Sequence, residues 1–245
     1  MSRVLLTASF AAAIAGLAAM PANADRRDHN RLDSDGKPVG TRWSPTGRFD
    51  ALVAAGQDDV CVTRGDRWQI RASGDADALS QLRFLVEDGA LVVGRVSGKP
   101  RVRTKAQIEI TVPSLRSITG AGSGTLDVAS MEAENATITL AGSGRAMVRE
   151  MDAENLAATV AGSGTLDMAG RSDSANVTIA GSGALRAQGL TVGTAKVTVA
   201  GSGDGQFRSS GPVRAMIAGS GTVSVSGTTD CNQTRMGSGR LICTR

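Results

Sequence analysis

The chain has 245 residues, a formal net charge of +4, 31 glycines, 2% aromatic residues and no tyrosine. Glycine far above its usual share of about 7%, with so few rings, excludes a wide aromatic core and suits a narrow stacked one of Val, Ile, Leu and Ala. The basic residues are scattered and lack interleaved aromatics, so no nucleic-acid partner is expected.

Arg3 precedes an apolar run from Val4 to Met20, and Pro21-Ala22-Asn23-Ala24 then places small residues before Asp25. This is the pattern of a cleaved secretory signal peptide over residues 1–24. A membrane anchor is the competing reading, which the short Ala-rich run and the cleavage site disfavour. Export to the periplasm or the extracellular space is therefore expected. Cleavage removes Arg3 and lowers the net charge to +3. No cysteine follows the signal and no later apolar run is long enough to span a bilayer, so the mature chain is read as neither a lipoprotein nor transmembrane. Residues 25–45 are polar and charged and read as a disordered leader.

Residues 46–115 read as β-rich without repetition. Short strands are expected at Phe49–Ala54 and Val60–Thr63. A break at Thr63-Arg64-Gly65-Asp66 before Trp68–Ala72 reads as a hairpin. Asp75–Leu79 can form one helical turn. Leu82–Val86 and Ala90–Val93 flank Asp88-Gly89, a favourable hairpin turn. Ala106–Val112 alternates, with Ile108, Ile110 and Val112 on one face, and Pro113 ends it.

From residue 116 to residue 245 the chain repeats. Ala-Gly-Ser-Gly begins at Ala121, Ala141, Ala161, Ala180, Ala200 and Ala218, and a seventh copy begins at Met236, with a period of about 20 residues. Such self-similarity marks a solenoid. Within a copy the apolar period is two: Ile138, Leu140, Ala146 and Val148 share one phase, and Thr137, Thr139 and Met147 the other. The units are therefore strands. Stacked at about 4.8 Å per coil, they would form an all-β, right-handed parallel β-helix of about seven coils. The structural positions are the paired glycines: Gly122 and Gly124, Gly142 and Gly144, Gly162 and Gly164, Gly181 and Gly183, Gly201 and Gly203, Gly219 and Gly221, Gly237 and Gly239. Each pair is expected to serve the bend of its coil. The serine between them forms a column, Ser123 to Ser238, that the alternation turns outward and a kink could turn inward.

The Gly-Ser-Gly copies, the Val/Ile-x-Val/Ile-Ala before them, and the strands with Leu91-Val92-Val93 and Ile110-Thr111-Val112-Pro113 resemble the head GIN domain family of putative auto-transporter adhesins. The resemblance covers about residues 46–240. It implies a β-helical fold and an envelope location, and brings no catalytic residues. An auto-transporter ends in a membrane β-barrel. No such strands follow the last copy, so self-export is not expected.

Single residues offer little chemistry. His29 lies in the polar leader and has no positioned partners for a triad. Three cysteines and one histidine lack paired metal-ligand spacing, and no cofactor is implied. Asp127 and Asp167 share a place in copies two coils apart, about 10 Å on strand spacing, with Arg186 there in the next copy. Paired carboxylates on a β-helix are the basis of the alternative reading, a polysaccharide lyase or hydrolase. The plainer reading is an exposed column in which Asp167 and Arg186 pair weakly. Arg64-Gly65-Asp66 matches an integrin-recognition tripeptide and equally an ordinary turn. Cys231 and Cys243 share the core phase of the last copy, where a disulfide would close the coil and leave Cys61 as a free, buried thiol. Pairing of Cys61 with either of them is the alternative. The expected function is a non-catalytic adhesion, binding or scaffold role in the envelope. Its partner would be a glycan or a protein, or a second copy stacked end to end.

Overall fold

The computed structural model describes residues 32–38, 48–99 and 102–245; the signal peptide, His29 and most of the polar leader lie outside them. Its elements run β1 (Ala51–Gly56), β2 (Asp59–Arg64), β3 (Gln69–Gly74), α1 (Ala76–Gln81), β4 (Leu82–Glu87), β5 (Ala90–Arg95), β6 (Ala106–Val112) and β7 (Ser117–Gly122). There follow β8 (Thr125–Gly142), β9 (Arg145–Gly162), β10 (Thr165–Gly181), β11 (Ala184–Gly201), β12 (Asp204–Ser209), β13 (Val213–Gly219), β14 (Thr222–Ser226), β15 (Cys231–Met236) and β16 (Arg240–Thr244). From β7 onward every pairing is parallel and joins one copy to the next, giving a β-solenoid of about six turns.

Stacking places like on like. Ile118, Ile138, Ala158, Val177, Val197 and Ala215 are in register, and so are Val128, Val148 and Met168. All nine are buried. Alternation dictates this, because every second side chain of a strand faces the same way. Each fully buried Val, Leu or Ile contributes roughly 1.5–3 kcal/mol, and a coil gains that only against its neighbours.

The corner explains the glycines. At Gly162 φ is +111°, and an added Cβ would lie 2.5 Å from the Gly142 carbonyl oxygen of the coil before. Both the conformation and the close approach require glycine. Gly164 has no such φ; a Cβ there would meet the Gly144 carbonyl oxygen at 2.7 Å. The first glycine thus turns the chain, and the second only lets it approach. The carbonyls of Gly122 and Gly142 each accept two N–H groups from the next coil, Gly142 O taking those of Ser163 and Gly164, both at 2.9 Å, whereas Gly162 O accepts that of Ser182 at 2.9 Å.

Copies of unequal length are absorbed on the side after the corner. Between β9 and β10 the register shifts at Met168/Gly170, and Gly170, with φ +124°, takes up the missing residue. A second corner carries a side-chain ladder, in which Asn155 Nδ2 donates to Asn135 Oδ1 at 3.2 Å and Ser174 Oγ donates to Asn155 Oδ1 at 2.8 Å.

Residues 46–115 depart from the sequence reading in one respect and enlarge it in another. β2 and β3 do not form a hairpin. β6 lies between them, parallel to β2 and antiparallel to β3. The alternating pattern of the two segments is equally consistent with a shared neighbour that comes later in the chain. β5 and β6 together make a coil that stacks under the coil of β1 and β2. Beneath that, β3, α1 and β4 cross the end in the reverse sense, so both strands pair antiparallel. The Asp88-Gly89 turn between β4 and β5 has φ +49° and +77°, as that dipeptide favours. Asp75 caps α1, its Oδ1 accepting N–H groups from Asp77 and Ala78.

Part of the leader is also built into this end. Residues 32–35 make a helical turn, Leu32 is buried, and Lys37 bridges Phe84 on β4. Leu32 is a single apolar residue among charges, so periodicity could not reveal its contact.

Candidate functional site

The three sides of the solenoid differ sharply in chemistry. On the strand leading to each corner, the outward residues directly before it form two columns. One is Thr119, Thr139, Thr159, Thr178, Thr198, Met216 and Thr234; the other is Ala121, Ala141, Ala161, Ala180, Ala200, Ala218 and Met236. The serines Ser123, Ser143, Ser163, Ser182, Ser202, Ser220 and Ser238 follow at the corner, and all are exposed. The serine column therefore points outward. These three columns contain no charged residue across seven copies, in a chain that is 20% charged. The threonines and alanines are mostly half-buried by their own neighbours, so the surface is flat and closely packed.

The side after the corner carries ion pairs instead. Asp127 receives Arg149 through Nε at 2.9 Å and Nη2 at 2.5 Å, and Asp167 receives Arg145 at 3.0 Å. Arg186 is in register with Asp167 as the repeat implies, yet Asp167's partner is Arg145 of the preceding coil. A long arginine reaches diagonally, so column position alone does not choose the partner. Both candidate carboxylates are thus held by guanidinium groups. Among the described residues no group of three or more His, Cys, Asp or Glu side chains is placed to hold a metal ion.

Cys61 belongs to this side. It is in register with Asp127 and Glu109 and is exposed, not buried. Partial burial between coils pushes its thiol pKa above the ordinary 9.0, helped by the Asp127 and Glu109 carboxylates and opposed by Arg149. The nearby Arg64-Gly65-Asp66 segment is not a hairpin tip. Gly65 N–H donates to Val112 O at 2.9 Å, and Arg64 Nη1 donates to exposed Glu132 at 2.6 Å.

Two features close the ends. Cys231 and Cys243 form a disulfide, their Cα atoms 6.7 Å apart, inside the last coil. Gln233, at a core position in register with Ala215, helps finish that coil by accepting the Leu241 N–H and donating to Gly239 O. At the other end, a corner with no Gly-Ser-Gly motif, Gly56-Gln57-Asp58, stacks under Gly122-Ser123-Gly124: Gly56 O accepts the N–H groups of Ser123 and Gly124. Buried Asp58 takes Arg95 Nε at 2.8 Å and Nη2 at 2.5 Å, and accepts the Ala106 N–H at 2.8 Å. Arg95 also donates to the carbonyls of Val102 and Thr104. This network was not read from the sequence, where Asp58 shows only as an acid between two strands.

A family model described as "Putative auto-transporter adhesin, head GIN domain" matches residues 48–229. Solved structures share the fold. A putative adhesin from Bacteroides fragilis superposes with a TM-score of 0.76 at 20% identity, covering 85% of this chain and 99% of that one. A putative adhesin from Parabacteroides merdae gives 0.68 at 19% identity, over 86% and 98%. A protein from Parabacteroides distasonis, described as a putative lipid binding protein, gives 0.67 at 21% identity, over 85% and 98%. A 97-residue stretch is 34% identical to the propionyl-CoA carboxylase alpha chain of Ruegeria pomeroyi; it is 37% of this chain and spans only 14% of that protein's length.

Proposed function

Because the chain belongs to the head GIN domain family of putative auto-transporter adhesins, we propose that it is an exported, non-catalytic binding module of the cell envelope that acts through its uncharged corner face. One observation carries this reading: the Thr, Ala and Ser columns stay free of charge over seven copies, while the side after the corner carries ion pairs. Desolvating a flat face of methyls and hydroxyls costs far less than desolvating charges. Each hydroxyl can both donate and accept, at a repeat of about 4.8 Å along the stack. Such a face fits an uncharged, hydroxyl-bearing surface, a neutral glycan before a protein.

Export rests on the expected signal peptide, which lies outside the described residues. It is consistent with the family, and no described helix is long and apolar enough to cross a membrane. The test is a pull-down from envelope extract with the mature chain, followed by titration on the isolated fraction. Saturable retention that survives high salt is expected, since the face is uncharged. Absence of retention on every envelope fraction would overturn the reading. Turnover of a glycan, lost in Asp127→Ala or Asp167→Ala, would replace it with the enzymatic one.

A further inference from the structure

The repeat region of the solenoid, from Ser117 to Arg245, is electrically polarised along its axis. Between Ser117 and Ala180 stand eight carboxylates, Asp127, Glu132, Glu134, Glu150, Asp152, Glu154, Asp167 and Asp173, against three arginines. From Gly181 to Arg245 the balance inverts, with Arg186, Lys196, Arg208, Arg214, Arg235, Arg240 and Arg245 against Asp204 and Asp230 alone. All seven of these cations are exposed. The three arginines of the acidic half are each paired to an aspartate. Those of the basic half have no ion pair among the described residues.

The last corner concentrates this charge and adds apolar surface. The stretch Arg235-Met236-Gly237-Ser238-Gly239-Arg240-Leu241-Ile242 turns there, and Met236 and Ile242 are 56% and 45% exposed. They are the exposed large hydrophobics among the described residues. Met236 stands where every earlier copy has alanine. Arg235 stands in register with buried Ile217, so a core column ends in a charge. A further apolar coil, including one from a second copy, would bury that guanidinium at high cost. The end therefore favours an anionic partner. No exposed ring is present there to stack a nucleic-acid base, since Phe207 is buried.

We propose that this end docks on an anionic phospholipid surface, with Arg235 and Arg240 on the headgroup phosphates and Met236 and Ile242 at the acyl boundary. Basic residues beside exposed apolar ones are what an interfacial site requires. The acidic half of the repeat region would be repelled, so the solenoid stands end-on, with the corner face free from Ala121 to Ala218. The proposal does not depend on that face having a partner.

Co-sedimentation of the disulfide-bonded chain with phosphatidylcholine vesicles, with and without phosphatidylglycerol, tests it. Binding only to the phosphatidylglycerol vesicles is expected, falling steeply with salt. Each cation near such a surface is worth roughly fivefold in partition, so Arg235→Glu/Arg240→Glu should lose more than about tenfold. Met236→Ser/Ile242→Ser should weaken binding at every salt concentration, and Arg171→Gln, in the acidic half, should leave it unchanged. Thermal melts confirm that the variants fold. Equal binding to both vesicle types, absence of vesicle binding, binding to soluble polyphosphate but not to vesicles, or binding that survives the double arginine reversal would each overturn it.

Discussion

The two ends of the solenoid solve one problem in opposite ways. A stacked coil leaves unpaired backbone and an open core at each end. The N-terminal end is closed by chain: β5 and β6 add a coil, β3, α1 and β4 cross beneath it in reverse, and Leu32 packs on the outside. The buried Asp58–Arg95 pair ties that layer to the first corner. The C-terminal end is closed by chemistry, with a twelve-residue disulfide span, Gln233 and Arg235 where core residues would otherwise stand. A folded cap resists reduction and salt. A covalent clip uses little sequence and leaves a polar, cationic surface.

The largest test of this contrast is Asp58→Ala. It strands Arg95 and the Ala106 N–H in a buried site, and breaking one side of a buried pair costs about 3–5 kcal/mol. Urea unfolding should show a loss of that size. Gly162→Ala, midway between the ends, forces a strained φ and a clash onto backbone, for about 3 kcal/mol; a smaller loss there than at Gly98, where an added Cβ would meet nothing within 4 Å, would contradict the corner geometry. Cys231→Ser should remove about 3 kcal/mol of chain restraint, confined to β15 and β16. Hydrogen exchange should rise there and stay unchanged in β1 and β2.

Smaller effects come from titration. Burial raises the Asp59 pKa, but the hydrogen bond and charge of Lys105 at 2.8 Å, with hydrogen bonds from Thr125, outweigh it and hold the group below 3.8. A depressed carboxylate stabilises the fold above its unfolded pKa, and that contribution is lost as pH falls through the folded value. The stability gap between the native chain and Lys105→Gln should therefore be constant above about pH 5 and close as the pH falls below the usual aspartate range. Smallest is the Cys61 thiol. Iodoacetamide should alkylate it slowly at neutral pH, and Asp127→Asn should speed the reaction by removing one carboxylate and freeing Arg149.

The repeating half of this fold was legible because its determinants are local. Paired glycines mark each corner, period two separates core from surface, and Cys231 and Cys243 fall at core positions of one coil. The N-terminal cap was not legible in the same way. Its key fact is that β6 inserts between β2 and β3, a pairing between segments far apart in sequence that alternation cannot assign. Gly56-Gln57-Asp58 makes a corner without the motif, and Arg145 rather than Arg186 reaches Asp167 because side-chain length decides. The corner face was present in the sequence as three positions per copy that never carry charge. That signal is an absence, easily overlooked beside the glycines that frame it.

The central claim is that this uncharged face is where the partner sits. It is tested most directly by placing charge on it and, separately, beside it, and titrating the envelope fraction that retains the native chain. Thr159→Arg/Ala161→Arg lies on the face; Met147→Arg lies on the neighbouring side, between Asp127 and Asp167. The account expects the double variant to lose retention by more than about tenfold, the loss of one desolvated contact of about 1.5–3 kcal/mol, while Met147→Arg binds as the native chain does. Equal retention by all three proteins would contradict it.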